Sequence, residues 1–219
     1  MNSAFNPTLP IDKSMALYWS GTPGCSRSIA ICHAADLAEV PILLLCETNE
    51  NVDQSIRELS YFSRAFENLP VFSLPDWETL PYDNFSPHQD ITSERLNSLF
   101  HLPKLRRGIL VLSISSLMHR LPPREYIDSI SLDLRVGQHL EISQMKEELV
   151  YAGYKLVDSV FEHGEFAVRG SILDIYPTGS PLPYRIDLFD NEVESLRTFD
   201  PESQRSISKV REIKLLPAR

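Results

Sequence analysis

No apolar run in this sequence approaches the roughly 18–20 residues that span a bilayer, and no basic-then-apolar leader opens it. No membrane role is expected, and the chain reads as cytoplasmic. Cysteine is scarce. Cys25, Cys32 and Cys46 are odd in number and form no CxxC pair, which excludes a thiolate metal site or redox motif and fits reduced thiols. The six histidines show no HxxxH or HExxH spacing, so no metal site is expected. Lys and Arg nowhere cluster, and the net charge is −9, the wrong sign for a general nucleic-acid binder. No adjacent Asp-Glu pair of the helicase type occurs, and no Ser/His/Asp or Cys/His triad is legible. What remains is an ordinary globular composition, 42% apolar and 23% charged, over 219 residues, enough for one large or two small domains. The partner surface this composition favours is protein, or a basic partner domain.

Residues 1–19 are polar and proline-marked before turning apolar at MALYW. GTPGCSRS (Gly21 to Ser28), a helical pattern and the buried-strand run ILLLC (Ile42 to Cys46) then form the opening of an α/β unit. Val52, Ile56, Leu59, Phe62 and Phe66 recur at helical steps, so a helix is expected from Val52 to Phe66, capped by Thr48 or Asn49. A short strand VFSL, a helix from about Ile91 to Leu102 and the strand GILVLSI (Gly108 to Ile114) complete a partial doubly wound, parallel-sheet domain over 1–121. Pro122-Pro123 marks a boundary. Beyond it, one helix (about Ser143 to Ala152) among several strands implies a small α+β domain with an antiparallel sheet over 122–205. The tail 206–219 offers one more strand, expected to return to the first domain.

The spacing of Gly21, Ser26, Arg27 and Ser28 matches a phosphate loop, G-x-x-x-x-G-K-[ST], but its second glycine and its lysine are replaced. A Cβ at Ser26 obstructs the tight curl, and the planar fork of Arg27 cannot take the place of an ammonium. The loop is therefore expected to be degenerate, with no nucleotide or metal bound by this chain.

The organising stretch is Gly164 to Asp200. Side chains alternate along a strand, so Ile186/Leu188 and Phe166/Val168 form a core face. Arg169, Arg185 and Phe189 fall on the other face, where a ring beside arginines has the composition of a protein-binding hot spot. The competing reading puts Phe189 in a second small core, with both arginines solvated. Asp190-Asn191 fits a hairpin turn. Asp174 falls opposite Leu173 and Ile175 and could pair with an arginine; His163 reads as structural. Trp77 and Tyr82 could stack a base or lock a buried corner.

Three strings carry a resemblance: LPDWETLPYDNFSPHQDITSERL (74–96), LRVGQ (134–138) and GEFAVRGSILDIYP…YRIDLFDNEVESLRTFD (164–200). They closely resemble the N-terminal region of the bacterial transcription-repair coupling factor family (Mfd) and, more distantly, the matching domains of the excision-repair helicase UvrB. The resemblance implies a RecA-like first domain followed by an inserted domain that docks onto UvrA. It implies UvrA-contacting roles for Arg169 (FAVRG), Arg185 (PYRID) and Phe189 (DLFD); Glu165 and Arg197 read as peripheral contributors or equally as solvated charges. ATP, magnesium, DNA and RNA polymerase would be handled by later domains of a longer protein, and a C-terminal domain of that protein would cover the docking face. Only Asn84 to Asp90 follow the WETLPYD string, too few residues for UvrB's DNA-probing hairpin. The competing functions are a nucleotide-binding or a DNA-binding fragment of a UvrB-like helicase.

Overall fold

A computed structural model describes residues 4–12, 14–67, 69–79 and 83–219. Tyr82 lies outside the described residues. The chain forms two compact units, Met1–Asp76 with His101–Arg120, and Trp77–Phe100 with Leu121–Arg219.

The first unit is built on a parallel sheet of β1 (Ile42–Cys46), β2 (Val71–Ser73) and β3 (Ile109–Ser113), in the order β1-β3-β2. The central strand is ILVLS, buried at all five positions, because a parallel strand covered on both faces has no solvent side to make polar. Helix α1 (Ser26–Leu37) and helix α2 (Asn49–Phe62) supply Ile31, Cys32, Ala35, Val52 and Leu59 to a core with Ile109 and Val111. The Thr48 hydroxyl caps α2 by accepting from Asn51 N at 3.2 Å. The α-helix stops earlier than its apolar period suggests. A 3-10 turn at Ser63–Ala65 carries the chain on, and Phe66 still reaches the core. A one-turn helix, α4 (Ile114–Met118), follows β3.

The second unit contains α3 (Gln89–His101), α5 (Arg124–Ile130), α6 (Ile142–Tyr151) and β4 to β11. These strands are Leu132–Arg135, Lys155–Leu156, Glu165–Arg169, Ile172–Ile175, Tyr184–Phe189, Glu192–Phe199, Ser206–Val210 and Glu212–Leu215. Six of them form one sheet, β10-β9-β8-β7-β6-β5, antiparallel except where the short β5 runs parallel to β6. On its inner face Phe166, Leu173, Ile175, Ile186, Leu188 and Leu196 pack against Met145 and Leu149 of α6. Fully burying side chains of this size contributes about 1.5–3 kcal/mol each before conformational entropy is charged.

Three features depart from the sequence reading. The domain holds more than one helix: α5 follows Pro123, and α3 belongs to the same unit. Leu96 and Phe100 of α3 pack with Ile127 and Leu216, and Ser93 Oγ accepts from Gly179 N at 2.8 Å. The tail does not return to the first unit. β11 pairs antiparallel with β4, Ile213 opposite Leu134, because Ile213 and Leu215 complete the apolar set begun by Leu132 and Leu134.

Candidate partner-binding face

Strand register determines what the outer face of the large sheet can do. Asp174 on β7 lies opposite Arg185 on β8 and Ala167 on β6; Ile172 lies opposite Asp187 and Arg169. These residues share the face that points away from α6. Asp174 is 1% exposed, the sole buried carboxylate among the described residues. A buried carboxylate is tolerated only when paired and hydrogen-bonded, and Asp174 is paired twice. Arg185 grips it with both arms of its fork, Nε to Oδ1 at 2.7 Å and Nη2 to Oδ2 at 2.9 Å. Arg169 Nη2 donates to the same Oδ2.

The two arginines differ in what they leave free. Arg185 also donates from Nη1 to Gln204 O at 3.2 Å, and its guanidinium carbon sits 4.7 Å from the centroid of the Phe199 ring. Its side chain is 16% exposed, against 48% for Arg169. Its pKa is held above the ordinary value by the hydrogen bond to Asp174, against the opposing effect of burial. Next to them, Arg197 Nη2 pairs with Asp187 Oδ2 at 3.2 Å, and Ser195 Oγ donates to the same oxygen at 2.6 Å. Register also sets Lys209 opposite Arg197. Arg169, Arg185, Arg197 and Lys209 thus share this face with Asp174, Asp187, Glu165 and Glu192, a surface of mixed charge.

Phe189 ends β8 opposite Glu192 and is 68% exposed. The turn beyond it is Asp190-Asn191, with φ of 47° and 62°, the left-handed geometry that a tight hairpin turn requires. The tip is held from behind: Gly137 N donates to Val193 O at 2.8 Å and Leu140 N to Asn191 O at 2.7 Å. A second small core does exist on this face, but its ring is Phe199, packed with Val160, Ala167, Val157 and Tyr176. Strand rise and spacing put the Cα atoms of Arg169 and Phe189 on the order of 12 Å apart, within one partner footprint.

Glu165 has a local task. Its Oε2 accepts from the backbone N–H groups of Phe161 and Glu162 at 3.0 and 3.1 Å. His163 bridges Asp90 (Nδ1 to Oδ1, 2.8 Å) and Ser180 O (Nε2, 2.9 Å). Trp77 takes the guanidinium of the buried Arg95 over its ring at 4.2 Å. Gln204, which sequence reasoning missed, secures Arg185 through its carbonyl. Its one local signal is a φ of 59°, which no sequence pattern announces.

In the glycine loop, Gly21 and Gly24 have φ of 72° and 54° ahead of α1. Ser26 Oγ donates to Pro23 O at 2.6 Å, and Arg27 is exposed. The buried Ser28 hydroxyl donates to Glu58 Oε2 at 2.6 Å. That bond, then one from Gln54, holds the Glu58 carboxyl below its ordinary range. The hydroxyl that would meet magnesium in a phosphate loop is thus committed to a carboxylate.

The UvrB interaction domain family matches residues 132–219, from the first residue of β4 to the last residue of the chain. The transcription-repair-coupling factor of Escherichia coli (strain K12) is 40% identical over 218 residues, covering 100% of this chain and 19% of that protein. Along its whole length the chain matches a segment of the transcription-repair-coupling factors. That of Haemophilus influenzae is 46% identical over 181 residues, 80% of this chain and 16% of that protein. That of Bacillus subtilis (strain 168) is 32% identical over 200 residues, 91% and 17%. The chain spans about a fifth of the length of the curated relatives it matches. The family match covers every strand of the face described above and neither the glycine loop nor the parallel sheet.

Proposed function

We propose that this chain is the UvrA-docking segment of a transcription-repair coupling factor, acting in nucleotide excision repair of the transcribed strand. Phe189, Arg169 and Arg185 form the contact surface. The observation that carries the reading is the ring of Phe189, exposed at a rigidly held hairpin on the face that also carries the arginines. An aromatic anchor with guanidiniums beside it is the composition of an interface centre, and the exposed Arg169 suits an acidic or carbonyl group on the partner.

The segment hydrolyses no ATP and requires no nucleotide or metal for docking. Support comes from the replaced glycine and lysine of its loop and from the commitment of Ser28 to Glu58. RNA polymerase, DNA and the ATP-driven motor belong to parts of the protein outside these residues, as does the C-terminal domain that would cover the face. Among the described residues no helix is long and apolar enough to cross a membrane.

Titration of UvrA with the Arg169→Ala/Phe189→Ala double variant tests the reading. Both side chains are substantially exposed, so the variant keeps its fold, and binding is expected to fall at least 100-fold. Undiminished affinity rejects the proposal. Arg185→Ala is the poorer probe, since it strips a buried carboxylate of its main partner and perturbs the fold as well as the surface.

A further inference from the structure

We infer that Asp174 is a positioning residue for docking: a buried countercharge that immobilises Arg185 and, through the shared carboxylate, presents Arg169 to the partner. The inference rests on the docking reading and divides its labour. A carboxylate 1% exposed cannot touch a partner, so any effect on binding must pass through the groups it holds. Arg185 meets both of its oxygens and a backbone carbonyl, which uses three of its five N–H donors on the protein itself. Arg169 makes a single bond to the carboxylate and leaves about half of its side chain in solvent. Its remaining donors are therefore free to meet an acidic or carbonyl group on the partner, while one arm is tethered.

The tether matters for two reasons. An unrestrained arginine loses much rotamer freedom on docking, and a side chain already held loses less. Two guanidiniums on one oxygen also carry more positive charge than one carboxylate cancels. The surplus sits on the more exposed arginine, where an incoming carboxylate relieves the repulsion. Arg185 is accordingly the scaffold of the pair and Arg169 the contact.

The test is a double-mutant cycle on the 219-residue chain with UvrA as titrant. Asp174→Asn keeps the shape and removes the charge; binding is expected to weaken about tenfold. In an Arg169→Ala background the same substitution is expected to change affinity by less than twofold, because the group it acts through is gone. Asp174→Glu, which restores the charge one methylene away, is expected to give an intermediate loss of about threefold that also vanishes in the Arg169→Ala background. If Asp174→Asn fails to fold, the glutamate cycle carries the test alone. A purely structural role would weaken binding equally in both backgrounds, and that result, or no loss at all, overturns the assignment. Phe189→Ala is run alongside because it does not touch the triad. If it binds undiminished, the docking reading itself fails and the Asp174 assignment falls with it. If it weakens binding while the cycle shows no coupling, only the Asp174 assignment is lost.

Discussion

Two phenylalanines on one face of the large sheet make a matched experiment. Phe189 is 68% exposed, and Phe199 is fully buried, with Arg185 against its ring. An aromatic side chain buries about 200 Å², so Phe189 still has on the order of 140 Å² to offer a partner, worth about 3.5 kcal/mol at 25 cal/mol per Å², part of which the alanine methyl keeps. Phe189→Ala should therefore weaken UvrA binding about 100-fold while altering folding stability by less than about 0.5 kcal/mol. Phe199→Ala removes the ring of the small core and the support beneath Arg185, and should cost about 3–5 kcal/mol of stability. The thermal midpoint would fall by on the order of 10 °C. Calorimetric titration and thermal denaturation of the two variants separate the effects. If Phe189→Ala binds within twofold of the parent while melting unchanged, the exposed ring is not an anchor. If instead it melts as low as Phe199→Ala, its exposure has been misjudged.

Two predictions concern the first unit. Burial raises the pKa of Cys32 to about 11, so its thiol is almost wholly protonated at pH 8. Iodoacetamide at pH 8 should label the exposed Cys25 in the folded chain and leave Cys32 unreacted until denaturant is added; prompt labelling of Cys32 refutes its burial. Ser28→Ala removes the largest influence lowering Glu58, whose carboxyl should then titrate nearer its ordinary range by carbon NMR. A depressed carboxyl pKa adds stability that is complete above the unfolded value and disappears as pH falls through the folded one. The stability gap between parent and variant should thus narrow below about pH 4, and an unchanged Glu58 titration would show that the hydroxyl contributes nothing.

Features that depend on neighbouring residues alone were legible in the sequence. The alternation in Tyr184–Phe189 assigned each side chain to the correct face, and the Thr48 cap and the Asp190-Asn191 turn follow from local hydrogen bonding and φ preference. Features that depend on register were not. Period two says that Asp174, Arg169 and Arg185 share a face, but only strand pairing says that the carboxylate meets both arginines. The same limit hid the partner of β11, since apolar alternation in EIKL specifies a buried face and not whose. Helix α5 is illegible in the sequence for a different reason. Pro122-Pro123 reads equally as a boundary and as the entry to a helix, and seven residues carry too little periodicity to decide.

A β-bulge explains how one hairpin serves both stability and display. Asp187 pairs with Ser195, but the next residue, Leu188, pairs with Val193, so Glu194 is an extra residue on β9. Were Glu194 held in regular pairing instead of in a bulge, strict alternation from Leu196 would turn Val193 outward and bring Glu192 into the core. With it, Val193 and Leu196 are both at most 1% exposed beneath the sheet, and Glu192 stands outside, opposite Phe189. The inner face keeps an unbroken apolar set up to the hairpin tip, so the tip needs no help from Phe189 to stay folded. A ring with no duty in its own core can be exposed at little cost in stability, and the backbone that carries it is fixed by the loop behind the turn. Rigid support together with an unburied anchor is what lowers the entropic cost of docking; here the loop behind the turn gives the first, and the bulge that absorbs Glu194 preserves the second.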